Sequence, residues 1–199
     1  MRRINEIFHS LQGEGYHAGV SAVFVRFAGC NLQCPFCDTS HQEGIMMDDS
    51  EIIRAVNLHK ADWIILTGGE PTLQIDDEFV SLLKRATGKR VAIETNGTRP
   101  VPREVDWITV SPKEGLAPEA AQYPTDRKAD EIKVVDCQQD LEPYFTSPWY
   151  GPDTRMYLQP CYVADAEQFN DNQLHAVRRV LDDPRWSLSV QIHRYLKIP

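Results

Sequence analysis

The run Gly29-Cys30-Asn31-Leu32-Gln33-Cys34-Pro35-Phe36-Cys37-Asp38-Thr39 holds three of the chain's five cysteines at spacing C-x3-C-x2-C. Thiolates this close in sequence can converge on one metal centre, and soft sulfur selects zinc, copper(I) or an iron–sulfur cluster. A structural zinc site is closed by four ligands. A four-iron cluster on three cysteines leaves one iron open to a substrate or cofactor. No fourth cysteine lies nearby. Cys137 and Cys161 are distant and isolated in sequence, and are expected as buried small side chains. Two other readings stay open on the residues alone. One is a zinc knuckle completed by His9, His17 or His41, and the other is a disulfide pair with a free thiol.

Four more stretches carry ligand-type chemistry. Leu11-Gln12-Gly13-Glu14-Gly15 sets two glycines around an acid, where backbone can approach a ligand or simply turn. Thr67-Gly68-Gly69-Glu70-Pro71 follows the apolar run Trp63-Ile64-Ile65-Leu66, as ligand loops follow buried strands in α/β proteins. Thr95-Asn96-Gly97-Thr98 and Ser111-Pro112-Lys113 also follow β-branched runs. Arg26, inside the strand-like Ser21-Ala22-Val23-Phe24-Val25-Arg26-Phe27, must meet an acid, a ligand or solvent.

The elements that must position these loops alternate in type. Strands are expected near residues 4–10, 21–27, 63–66, 91–94, 107–110, 131–135, 155–158 and 187–192. Helices are expected after the acidic caps Asp48, Asp76 and Asp165, with Gly88 closing the second. The stretch 99–106, with Pro100 and Pro102, leaves little room for a full crossover helix, and 115–127, with Pro118 and Pro124, reads as an irregular loop. A complete eight-fold barrel needs about 250 residues. The expectation is therefore an α/β single domain over residues 1–199, a truncated (partial) barrel of about six mostly parallel strands and about three helices. Loops at the C-terminal ends of parallel strands share one edge, so the ligand-like loops should meet at one site.

Composition bounds the class. The chain has 199 residues, 42% hydrophobic and 25% charged, with a net charge of -8 from 21 basic and 29 acidic side chains. That balance argues against bulk binding to nucleic acid. No run is long and apolar enough to suggest a membrane span, and the first residues lack the apolar stretch of a signal peptide. An odd cysteine count with three clustered fits a reducing cytoplasm.

The cysteine spacing resembles that of the radical S-adenosylmethionine (SAM) superfamily, and Phe36 before the last cysteine fits it too. Within that superfamily the chain resembles the 7-carboxy-7-deazaguanine synthase family. The segments that carry the likeness are Leu11-Gln12-Gly13-Glu14-Gly15, Arg26-Phe27-Ala28-Gly29-Cys30-Asn31-Leu32, residues 34–39, Thr67-Gly68-Gly69-Glu70-Pro71, Glu94-Thr95-Asn96-Gly97-Thr98, Ser111-Pro112-Lys113 and Pro199.

The resemblance implies a reduced β6/α3 barrel and a lyase of the queuosine/deazapurine pathway. That enzyme contracts 6-carboxy-5,6,7,8-tetrahydropterin to 7-carboxy-7-deazaguanine with loss of ammonia. It also implies a homodimer, Mg2+ and a flavodoxin- or ferredoxin-type electron donor. By family position, Cys30, Cys34 and Cys37 would hold a 4Fe–4S cluster and Thr39 would ligate Mg2+. Phe36, Cys37, Asp38, Gly69, Ser111, Pro112, Lys113 and Gln159 would meet SAM. Leu11, Gln12, Gly13, Arg26, Thr67 and Pro199 would meet the pterin, with Arg26 on its carboxylate. A glycyl-radical activating enzyme acting on a protein is the alternative inside the superfamily, and a non-catalytic zinc module the alternative outside it. None of the six histidines receives a role from sequence.

Overall fold

A computed structural model describes residues 1–117 and 119–199; Pro118, inside the irregular loop expected over 115–127, lies outside the described residues. Among the described residues the strands form one nine-stranded sheet, ordered β3-β1-β2-β4-β5-β6-β7-β8-β9. The strands are β1 (Arg2–Leu11), β2 (Ser21–Phe27), β3 (Ile45–Met47), β4 (Trp63–Gly68), β5 (Arg90–Thr95), β6 (Trp107–Val110), β7 (Glu131–Asp136), β8 (Arg155–Pro160) and β9 (Ser187–Leu188). From β2 through β4 to β9 each neighbour is parallel, and β1 runs antiparallel to both β2 and β3. The parallel strands lie in sequence order, the winding of a barrel, but β3 and β9 end the sheet as open edges.

Side chains alternate across these strands. Val23, Val25, Phe27, Ile64, Leu66, Val91, Ile93, Ile108, Val110, Ile132, Val134 and Leu158 face the outer layer and form its core. Against them pack α1 (Asp49–Asn57) through Ile52 and Val56, and α2 (Asp77–Thr87) through Phe79, Val80 and Leu83. α3 (Ala166–Asp182) buries only Ala176. The expected caps are present: the side chains of Asp48, Asp76 and Asp165 accept the amides of Glu51, Phe79 and Gln168, and Gly88 closes α2 in the left-handed region at φ 69°.

Among the described residues the crossovers from β5 to β6 and from β6 to β7 carry no helix, in keeping with their prolines. Trp149 takes the space, fully buried, its indole N–H donating to the Gly97 carbonyl at 3.0 Å. A 3-10 turn (Glu142–Thr146) adds the buried Tyr144 to the same core.

Three details depart from expectation. The sheet gains a strand that no expected span covers, β3, a pairing too short to show a period. The strand expected over 187–192 stops after Leu188, since Ser189 and Gln191 turn inward to hydrogen-bond Gln159 and Glu14. Ile192 instead begins a fourth helix, α4 (Ile192–Leu196).

Candidate active site

The alternate residues of each strand face inward. Phe24, Ile65 and Ala92 make a smaller apolar cluster, and toward the C-terminal ends of the strands the set becomes polar with Arg26, Thr67, Glu94, Lys133 and Gln159. These polar residues line a cavity of about 720 Å3, a size suited to a small-molecule ligand.

The three cluster-type cysteines open onto this cavity from one loop. The loop is pinned at several points. The Gly29 amide donates to the His41 carbonyl at 2.7 Å, and the Cys37 amide to the Cys34 carbonyl at 3.1 Å. The Leu32 amide donates to Cys30 Sγ at 3.4 Å. Asn31 bridges to the loop after β5, donating to Thr98 Oγ1 at 2.9 Å and accepting from Asn96 Nδ2 at 3.0 Å. Gly68 and Gly69 press against the cysteine loop from below. Gly68 has φ 126°, and a Cβ on Gly69 would sit 1.9 Å from the Gly29 carbonyl oxygen, so no larger residue fits.

Glu70 is the hub of these loops. Its fully buried carboxylate accepts Thr72 N–H at 3.0 Å, Thr72 Oγ1 at 2.6 Å, Thr95 Oγ1 at 2.7 Å and the Asn96 amide at 2.7 Å.

Burial raises the Cys30 and Cys34 thiols, and the nearby Lys113 ammonium pulls Cys34 back down. Lys113 is itself lowered by burial and donates to the Ser111 carbonyl at 2.6 Å. The buried Nδ1 of His41, on the cavity wall, has no hydrogen-bond partner among the described residues. No three His, Cys, Asp or Glu side chains among them gather as ligands of a single ion. The donor set is three free thiols on one loop, set beside an ammonium and open on the cavity side. That chemistry fits an iron–sulfur cluster with one uncommitted corner.

Of the expected contact residues, only Pro112 does not line the cavity; it is buried between Ser111 and Lys113. Gln12 donates to Glu94 Oε1 at 3.0 Å. The Gly13 carbonyl accepts from the Ile192 amide at 3.0 Å. Arg26 Nε donates to Glu6 at 2.7 Å, so the basic residue in the strand has the acid it required. Asp38 accepts from Arg194 at 2.6 Å and from Gln191 at 3.1 Å. Thr39 Oγ1 donates to Asp38 at 3.4 Å. Gln159 Oε1 accepts from Ser189 Oγ at 2.8 Å, and Ser10 Oγ donates to the Pro199 carbonyl at 2.8 Å.

Sequence reasoning missed several cavity residues. Glu94 was quoted for its motif and given no role, and Lys133 was one letter in a strand. Period-2 alternation was the signal that places them on the inner face, Lys133 in phase with Glu131 on β7 and Glu94 in phase with Ala92 on β5. His193, Gln191 and Arg194 come with α4, whose five residues give no period to read. His41 also reaches the wall, whereas His9 bonds Ser21 at 2.8 Å and His17 packs on Trp63 and Trp107 at the far end of the strands.

Cys137 and Cys161 are corrected outright. They are neither isolated nor buried. β7 pairs Asp136 with Pro160 of β8, so the next residues on the two strands meet. Both are half-buried, and the Cys137 thiol, hydrogen-bonded to Cys161, is pushed up to about 12, first by burial and then by that neighbour.

A cysteine-bearing loop at the C-terminal edge of an open, sequentially wound parallel sheet defines a radical SAM protein, and the model of the Radical SAM superfamily matches residues 24–112. Relatives narrow the assignment. The 7-carboxy-7-deazaguanine synthase of Bacteroides thetaiotaomicron is 48% identical over 198 residues, covering 100% of this chain and 99% of the relative. The synthase of that name from Nitratidesulfovibrio vulgaris is 38% identical over 99% of each chain. The crystal structure of QueE from Escherichia coli superposes with a TM-score of 0.76 at 26% identity, covering 96% of this chain and 93% of that one. The chain belongs to the 7-carboxy-7-deazaguanine synthase family.

Proposed function

We propose that the protein is a radical SAM lyase that converts 6-carboxy-5,6,7,8-tetrahydropterin to 7-carboxy-7-deazaguanine with loss of ammonia, in queuosine or related deazapurine biosynthesis. The observation that carries this reading is the single cavity in which the cysteine loop and the loop of residues 11–13 face one another. Full-length relatives bearing the synthase name support it, and they do not favour a glycyl-radical activating enzyme.

In this reading Cys30, Cys34 and Cys37 hold the 4Fe–4S cluster. With SAM bound and an electron supplied, it provides the carbon-centred radical that takes a hydrogen from the pterin. The chain's own residues orient and enclose. Phe36, Cys37, Asp38, Gly69, Ser111 and Lys113 surround SAM, with Pro112 fixing the turn between the last two and Gln159 at its rim. Thr39 offers a hard oxygen to Mg2+. Leu11, Gln12, Gly13, Thr67 and Pro199 hold the pterin, and Arg26 keeps guanidinium N–H groups for its carboxylate while Glu6 anchors Nε. Gln191, just before α4, and Arg194 within it tie the C-terminal segment to Asp38 of the cysteine loop. A homodimer, a flavodoxin- or ferredoxin-type donor, one catalytic domain over the whole chain and a cytoplasmic setting complete the proposal. Among the described residues no helix is long and apolar enough to cross a membrane.

The test is anaerobic turnover of reconstituted protein with SAM, reductant, Mg2+ and the carboxytetrahydropterin, with products read by mass spectrometry. Appearance of 7-carboxy-7-deazaguanine is expected. Deoxyadenosine alone would keep the cofactor chemistry and reject the substrate. Neither product from protein with an intact cluster would reject the whole reading.

A further inference from the structure

The inner face of the sheet buries an ion-pair network that no contact proposed above uses. Lys133 on β7 is 4% exposed, and its Nζ lies 2.7 Å from Glu14 Oε2 and 2.9 Å from Glu94 Oε2. Glu14 directly follows the loop of residues 11–13. Its other oxygen accepts from Gln191 at 2.7 Å and Gln159 at 3.1 Å. Glu94, on β5, lines the cavity and accepts from Gln12 at 3.0 Å. One ammonium thus joins the sheet, the loop that meets the proposed substrate, and the segment leading into α4.

A buried lysine held by carboxylates is a costly way to stabilise a core, because apolar side chains of similar volume do as well or better. Its location on the wall of a polar cavity points to a different use. The charges facing Glu94 are Lys133 and Glu131 of β7, Glu14 of the β1–β2 loop and Lys113 after β6, while His193 of α4 faces Glu14. Burial drives the Glu94 carboxyl upward, and Lys133 is the first influence opposing it. Burial is the largest influence on Glu14 and works to raise it, yet Lys133, Gln191 and His193 together outweigh it and Glu14 is lowered to about 2.

We infer that Lys133 is a positioning residue for the substrate side of the cavity, keeping Glu94 an ionised hydrogen-bond acceptor and anchoring the loop of residues 11–13 through Glu14. The inference rests on the proposed pterin reaction. Without Lys133, Glu94 keeps Glu14 and Glu131 as acidic neighbours and loses the first influence opposing burial, so it holds its proton to higher pH and an acceptor on the wall becomes a donor.

The experiment measures KM and kcat for the pterin and for SAM across pH in the reconstituted enzyme, comparing Lys133→Met, Lys133→Arg and Glu14→Gln with wild type. Lys133→Met is expected to raise the pterin KM about tenfold or more at neutral pH, with recovery toward alkaline pH as Glu94 loses its proton, and to leave the SAM KM within about twofold. Lys133→Arg keeps the charge and is expected to keep the wild-type pH profile. Glu14→Gln, which removes an anion facing Glu94, is expected to raise the pterin KM and to move the acidic limb to lower pH, opposite to Lys133→Met. A Lys133→Met rise equal at every pH would show mere packing and overturn the inference, as would an unchanged pterin KM. Should Lys133→Met fail to fold, an unchanged pterin KM in Glu14→Gln overturns it.

If wild type does not turn over the pterin, the electrostatic half is read without substrate, by infrared spectroscopy. A protonated-carboxyl band at neutral pH in Lys133→Met that vanishes in Lys133→Met/Glu94→Gln supports it. Absence of that band refutes it.

Discussion

Glu70 shows how much one buried carboxylate can hold. Its four donors come from the β4 and β5 loops, and Asn96 carries the connection on to Asn31 between the cysteines. Glu70→Ala strands two backbone amides and two hydroxyls away from water. Each unmet donor costs about 1–3 kcal/mol, partly relieved by relaxation and entering water. The expected loss is about 3 kcal/mol in denaturant unfolding, with Glu70→Gln losing less than half of that. The Gly-Gly-Glu-Pro motif was legible as a ligand loop, but nothing in its letters says the carboxylate turns inward to tie loops together. The same holds for Lys133: alternation puts it on the inner face, and only the fold brings Glu14 and Glu94 to it.

At the scale of elements, what could be read was what is encoded locally. The caps of α1, α2 and α3 were found because a short acidic side chain before a helical run has one main use. Asp48 is the fullest case, since it accepts the Glu51 amide at 2.8 Å while the Glu51 side chain accepts the Asp48 amide at 2.7 Å. Asp48→Ala is expected to lower the unfolding free energy by about 1 kcal/mol and leave turnover unchanged, because α1 touches neither cofactor nor substrate loops. A chemical melt and a turnover assay on the same variant check both halves. β3 and α4 escaped notice because three or five residues carry no measurable period, and β9 was read too long, over 187–192. Their conformations are set by what they pair with. The polar residues 189 and 191 looked like the outer face of a strand, when they are the ligands of an interior network.

The whole molecule carries its acid–base history in that interior. Burial raises Glu131 to about 7, against an ordinary glutamate value near 4.5. Between these values the unfolded chain has released this proton and the folded chain still holds it. Stability from this group is therefore present at low pH, falls as pH rises, and has been lost above about pH 7. The difference of about 2.5 units corresponds to roughly 3 kcal/mol. Glu131→Gln keeps an oxygen for the Tyr16 amide, which now donates to Glu131 at 3.0 Å. The variant is expected to gain up to about 3 kcal/mol over wild type near pH 8 and nothing near pH 4, as measured by unfolding at both values. Equal differences at the two pH values would contradict the assignment.

The sequential winding of the sheet divides its contacts into two kinds. Nearly every strand from β2 onward pairs with one that is adjacent in the chain, joined to it by a crossover rather than a tight turn. The contacts that bring the C-terminal segment to the cavity span almost the whole chain. Gln191 reaches Glu14 across 177 residues and Asp38 across 153, and Ser10 reaches Pro199 across 189. The walls of the cavity thus belong to the sheet, while its C-terminal side depends on the two ends of the chain meeting, so a change near residue 191 or 199 is expected to disturb the cavity and spare the sheet.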